Sequence, residues 1–172
     1  MKRIVLIIAL ISTVINLFSQ SGNFLTESNK REYFEKNILS LDPIEGIYDV
    51  ETTQQSSNSF QTFPGKTDNI ELTIYKTSNG LFGMINNNMY SIEKIGETNA
   101  YNFLINWSDI GFVDKKRIIL NHTSQFQVTF TIPEKQMKYN MGRNYQSGFK
   151  IEFNFNCIKK FPTNSMYIDA IN

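Results

Sequence analysis

From residue 46 onward, apolar and polar side chains trade places at every second position. Ile70, Leu72 and Ile74 alternate with Glu71, Thr73 and Tyr75, and Tyr101, Phe103, Ile105 and Trp107 alternate with Asn102, Leu104 and Asn106. Phe126, Val128, Phe130 and Ile132 alternate with Gln125, Gln127, Thr129 and Thr131; Phe149, Ile151, Phe153, Phe155 and Cys157 alternate with Lys150, Glu152, Asn154 and Asn156. Successive side chains of a strand point to opposite faces, so this period marks strands with one face on a core and the other in water. Weaker strands are expected at 47–53, 81–86, 89–95, 110–113 and 117–121, with Ser78-Asn79-Gly80 and Asn86-Asn87-Asn88 supplying turns between them. No helix pattern of crossover length separates these runs. The expectation is therefore one antiparallel all-β domain over 46–160.

Three stretches break the rhythm. Residues 54–59 are polar and aperiodic, which predicts a long loop over 52–68. Residues 135–147 carry Met137, Tyr139, Met141 and Tyr145 near Gly142 and Gly148, and read as a strand pair or a flap. Lys115-Lys116-Arg117, between two apolar runs, reads as a solvated turn.

Ahead of residue 46 the period is that of a helix. Phe34, Ile38 and Leu41 recur at i, i+4, i+7, and Arg31–Glu35 and Glu32–Lys36 are spaced to pair on the opposite side. One amphipathic helix over about 27–41 is expected, with Thr26 as its N-cap. Asp42-Pro43-Ile44-Glu45-Gly46 then reads as one capped turn, in which Asp42 and Glu45 satisfy each other's backbone. That role accounts for both carboxylates without chemistry.

The first residues give the chain an address. Lys2 and Arg3 precede an apolar run from Ile4 to Ile11, which Ser12, Thr13 and Asn16 dilute before it ends at Phe18. A membrane span needs about 20 apolar residues, so the pattern is that of a signal peptide, residues 1–19, cleaved within 19–22. Cys157 is the only cysteine, so there is no lipoprotein cysteine, and the mature product is expected to be secreted or periplasmic without a membrane span. Cleavage leaves a segment 20–45 with the helix and capped turn, the β domain 46–160, and a tail 161–172.

Charge and composition then narrow the chemistry. The mature chain holds 15 basic and 16 acidic residues, a net charge of −1, with no electrostatic footprint for nucleic acid. A lone cysteine excludes an internal disulfide, so the fold rests on burial, for which 14 Phe and 8 Tyr supply area. Gly65-Lys66-Thr67 imitates the end of a phosphate-binding loop, but Phe60 stands where that motif needs its first Gly. His122 and Cys157 are the one base and nucleophile that could pair, yet Cys157 falls in register with inward residues and reads as core. One His and one Cys are too few for zinc. No catalytic, metal or cofactor-binding residue is expected, and the protein reads as non-enzymatic.

The segment Gly46-Ile47-Tyr48, after a short turn and before an antiparallel meander, resembles the opening of the lipocalin-like (calycin) barrels, where Gly-x-Trp closes the base. Here Tyr48 stands for the Trp, and the motif assigns no residue to that family's arginine packed over the ring. The same segment resembles small exported bacterial proteins of unknown function. The resemblance implies a single eight-stranded barrel, against a two-sheet sandwich as the alternative, with a small apolar ligand inside. Its lining would then be Tyr48, Tyr101, Phe103, Phe126, Phe130 and Phe153. The competing expectation is a fully packed core and a protein-interaction or inhibitor module acting through the 54–66 loop or the helix face.

Overall fold

The computed structural model describes residues 26, 29–58, 60–63, 65–86, 88–121 and 124–171. The signal segment 1–19, its cleavage region and His122 lie outside them. The described strands are β1 (Gly46–Ser57), β2 (Thr62–Phe63), β3 (Thr67–Thr77), β4 (Gly80–Ile85), β5 (Asn88–Lys94), β6 (Ala100–Trp107), β7 (Phe112–Ile119), β8 (Gln125–Thr131) and β9 (Lys150–Phe161). All join one antiparallel sheet in the order β7-β6-β5-β4-β3-β1-β9-β8, with β2 a spur on β1. β7 and β8 return alongside each other without forming a ladder. The result is a nearly closed eight-strand barrel with one seam, and not a sandwich.

Register decides what points inward. Tyr48 lies opposite Leu72 and Lys159, and Val50 opposite Ile70 and Cys157. Phe103 faces Ile92, Tyr101 faces Ile118, Phe126 faces Cys157 and Phe130 faces Phe153. Tyr48, Val50, Leu72, Ile92, Tyr101, Phe103, Ile118, Phe126, Phe130 and Cys157, with Ile44, Ile74, Leu120 and Val128, build the barrel core, each at most 7% exposed. Burying a side chain of this size contributes roughly 1.5–3 kcal/mol. The Cys157 position agrees with the alternation that placed it inside.

A second apolar layer lies on the outer wall near the end where β1 starts, here the lower end. Phe34, Ile47, Tyr75, Met84 and Phe161 pack there, with Tyr33, Leu41, Met89 and Met166 against them. Helix α1 (Lys30–Lys36) brings Phe34 into this layer, and Arg31 lies over the Phe161 ring at 5.1 Å. The helix is shorter than its apolar period. Asn37 turns its side-chain amide back onto the Tyr33 carbonyl at 2.7 Å, competing with the helical ladder, and a 3-10 turn at Ile38–Ser40 takes over. Asn29, not Thr26, stands at the N-cap position, and the Thr26 carbonyl accepts from the Asn29 and Lys30 N–H groups.

Four further expectations are corrected. β1 continues through Ser57, paired to Lys150 of β9, where a loop was expected from residue 52. Near the upper end both of its faces meet water, so the apolar alternation that announces a strand disappears while the ladder persists. Lys115-Lys116-Arg117 lies within β7, not in a turn. β7 borders the open seam, where inward polar groups protect an unpaired edge. Residues 135–147 hold helix α2 (Glu134–Met141) and a 3-10 turn, Gly142–Asn144, in place of strands or a flap. Residues 161–172, expected as a tail, contain the end of β9 and helix α3 (Asn164–Ile171), which packs on Ile38–Ser40.

Gly46 is required by close approach. A Cβ there would stand 2.6 Å from the Phe161 carbonyl oxygen, where the β1–β9 register shifts between Ile47 and Tyr48. Gly46→Ala is expected to destabilise the fold by at least ~1–3 kcal/mol through overpacking against backbone. Urea unfolding followed by circular dichroism measures it, and an unchanged midpoint would contradict this β1–β9 register.

Candidate functional site

The lower end is closed by the turn before β1. The Glu45 carboxylate caps the turn as expected, accepting from the Asp42 N–H at 2.8 Å; the Asp42 carboxylate instead accepts from the Ile44 N–H at 3.3 Å, and the Glu45 N–H bonds the Asp42 carbonyl at 2.8 Å. The turn pushes Ile44, fully buried, into the barrel as a plug. Tyr48, also fully buried, donates its hydroxyl to the Ile44 carbonyl at 2.7 Å. Glu45 is 1% exposed, and its carboxylate takes two more donors, the Tyr33 hydroxyl at 2.8 Å and the Lys76 N–H at 2.9 Å. Burial and the Glu45 acceptor push the Tyr33 hydroxyl up to about 12.

Two lysines complete this base. Burial alone would raise the Asp42 carboxyl, but hydrogen bonds from Lys94 (2.7 Å) and the Tyr101 hydroxyl outweigh it and hold the group below its ordinary value. Lys159 donates to the Pro43 carbonyl at 2.6 Å and sits 5.7 Å from the Tyr48 ring centroid. Burial lowers its ammonium to about 8, against the pull of Glu45 and Asp42. A lysine therefore packs over the aromatic of Gly-x-Tyr, the position for which the motif named no residue. The signal was available only through the pairing of Tyr48 with Lys159, which a sequence does not display. Every carboxylate and hydroxyl described in this base is bonded to protein, and the cluster reads as a structural closure.

The upper end is different. Ile70, Ile85, Tyr90, Ile105, Phe153 and Phe155 carry inward register, yet all are only partly buried, whereas Tyr48, Leu72, Ile74, Tyr101, Phe103 and Ile118 below them are at most 3% exposed. Lying toward the upper end and the β7–β8 seam, which carries no ladder, these partly buried side chains meet water there and present an apolar surface. The rim is partly roofed by α2, which runs between the top of β8 and the β6–β7 turn. Its Lys135 ammonium donates to the Ile110 carbonyl at 3.2 Å and its Gln136 amide to Asp109 at 3.1 Å. Met137 and Gln136 are its buried face. Trp107, at the end of β6, is 7% exposed and lies beside this roof.

The expected lining residues divide between the two ends. Tyr48, Tyr101, Phe103 and Phe126 lie in the packed lower core, Tyr48 and Phe126 with ring centroids 5.3 Å apart. Phe130 bridges the halves, 5.6 Å from Phe103 and 5.4 Å from Phe155. Phe153 alone of the six is half-exposed at the mouth. Sequence reasoning missed Ile70, Ile85, Tyr90 and Ile105 there, although each sits in an alternating run; depth along the barrel axis is what separates them from core. A separate depression of about 260 Å³ lies on the outer wall, lined by Glu51, Thr53, Gln127, Thr129, Asn154 and Asn156. Gly65 is pinned against β1, where a Cβ would strike the Gln54 carbonyl, and β3 follows it, so the Gly65-Lys66-Thr67 sequence forms no phosphate loop.

No protein-family model, curated protein or solved structure matches the chain. Among the described residues no cluster of three His, Cys, Asp or Glu forms a metal site.

Burial pushes the Cys157 thiol up to about 12, so almost none of it is thiolate at neutral pH. The native protein at pH 8 is expected to leave a chromogenic disulfide reagent unreacted for hours and to release one equivalent on unfolding. Rapid native labelling would place Cys157 outside the core.

Proposed function

We propose that this chain is an exported, non-enzymatic, lipocalin-like barrel that carries one small apolar molecule in the upper half of its interior. The supporting observation is the set of inward-facing but only partly buried apolar residues, Ile70, Ile85, Tyr90, Ile105, Phe153 and Phe155, above a core filled by side chains. Eight strands enclose a space that side chains can just fill or that leaves room for one small ligand; here the lower half follows the first case and the upper half the second. Solvated apolar surface in a concave mouth is what an apolar guest displaces water from. Support for export comes from the Lys2-Arg3 start and the apolar run after it. Support for a lipocalin-like fold comes from the barrel order, the Gly46-x-Tyr48 opening and the cation over Tyr48.

Trp107 is the only tryptophan and lies at the mouth, so it reports on occupancy. Titration with N-phenyl-1-naphthylamine is expected to quench Trp107 by energy transfer, saturating at one probe per chain. Ile70→Arg, which puts a charge into the mouth, is expected to weaken the probe at least tenfold with the fold intact. Non-saturating transfer, or an unaffected Ile70→Arg, would remove the reading.

One observation favours a second reading, a surface that engages a protein. Phe60 is 96% exposed at the tip of the β1–β2 hairpin, held there by Asn58, whose side-chain oxygen accepts from the Phe60 and Gln61 N–H groups at 2.9 and 3.0 Å. An exposed aromatic on an ordered tip is a suitable anchor. If it serves one, Phe60→Ser abolishes capture of a protein from the producing cells while leaving thermal stability unchanged; capture that survives the substitution removes this role.

A further inference from the structure

Two buried polar atoms near the mouth have no protein partner: Trp107 Nε1, a donor, and Gln136 Oε1, an acceptor. Their residues are 7% and 1% exposed. Native interiors leave few such atoms unpaired, and each calls for an explanation. Both belong to one corner of the rim, since the Gln136 amide nitrogen bonds Asp109, two residues beyond Trp107, and its other bond goes to Asn140 within α2. Trp107 continues the inward series Tyr101, Phe103, Ile105 on β6. The charged side chains that share the inward face of the adjoining strand, Asp114 and Lys116, pair with each other at 3.2 Å, and Asp68 at the opposite rim pairs with Lys66 at 2.8 Å. The corner thus offers one unpartnered donor and one unpartnered acceptor, while its two unpaired charges, Asp109 and Lys135, are bonded to the Gln136 amide and the Ile110 carbonyl.

Resting on the mouth reading above, we propose that the guest is an amphiphile whose head is uncharged and both accepts and donates a hydrogen bond, as a primary alcohol or primary amide does. Trp107 Nε1–H donates to the head oxygen, and the head O–H or N–H donates to Gln136 Oε1. The apolar tail lies on Ile70, Ile85, Ile105 and Phe155. An anionic head gains nothing at Gln136 Oε1 and meets the Asp109 and Asp114 carboxylates, while Lys116 is paired with Asp114 and the Lys135 ammonium is bonded to the Ile110 carbonyl. A pure hydrocarbon leaves both polar atoms unsatisfied, and that penalty sets the discrimination.

The test is displacement of N-phenyl-1-naphthylamine, read by its own fluorescence, with dodecan-1-ol, 1-methoxyundecane and dodecanoate at pH 8. The alcohol and the ether have the same number of heavy atoms, and the ether is the more apolar, so a pocket without head recognition favours the ether or treats them alike. The expected result is that dodecan-1-ol displaces the probe at least tenfold better than the ether and better than dodecanoate. Gln136→Met, which removes the acceptor that the alcohol alone can use, should narrow the alcohol-to-ether ratio to about twofold or less, whatever its absolute affinity, whereas Trp107→Phe weakens both and leaves the ratio in place. Equal potency of alcohol and ether in the unmodified protein overturns the proposal, the two polar atoms then being satisfied by water. Tighter binding of dodecanoate overturns the uncharged head. The unmodified protein alone decides both points should Gln136→Met fold poorly. Failure of the naphthylamine to bind at all would instead remove the mouth reading on which this rests.

Discussion

The antiparallel pairing of β1 with β9 is the constraint on which the rest of the structure depends. It joins the first strand to the last across some hundred residues, and so converts a meander into a wall that closes on itself. Because side chains alternate strictly, a slip of one residue would turn every inward group outward. The register observed puts Val50 opposite Cys157, Thr52 opposite Phe155 and Gln54 opposite Phe153, which places Cys157 in the core and both phenylalanines at the mouth. Gly46 is the device that permits it, since any side chain there would strike the Phe161 backbone. Tyr48 and Lys159 then meet as ring and cation, and the Ile44 plug is held beneath them.

From that closure follows a gradient along the barrel axis. At the base, large side chains fill the space and polar groups are bonded in reciprocal pairs, so the structure has nothing left to offer a guest. Higher up, β1 turns polar, the seam between β7 and β8 opens, and the inward isoleucines and phenylalanines meet water. A protein held together without disulfides must fill most of its interior, and the lower half meets that need. The upper half is then free to stay incompletely packed, at a cost in stability that a bound molecule would offset.

The alternation after residue 46 made the all-β class and most strand faces legible, including the inward placement of Cys157, and the Asp42–Glu45 spacing made the Glu45 cap legible. What stayed hidden was whatever lacks a one-sided environment. Residues 54–57 are strand with water on both sides, and Lys115, Lys116 and Arg117 are strand beside an open seam; neither leaves an apolar period. Helix α2 has eight residues and buries only Gln136 and Met137, too few to show a helical stripe. The candidate site was half legible for a related reason. Periodicity separates inside from outside but carries no information on depth, so Tyr101 and Phe103 looked the same as Ile105 and Phe153.

The central claim is that the barrel is full below and open above. Isotope-filtered NMR of the protein, labelled at isoleucine δ1 methyls and saturated with unlabelled N-phenyl-1-naphthylamine, tests it most directly. Cross-peaks are predicted from the aromatic protons of the probe to Ile70, Ile85 and Ile105, and none to Ile44, Ile74, Ile92 or Ile118. Contacts with the deep set, or only with the outward Ile119 and Ile158, would contradict it.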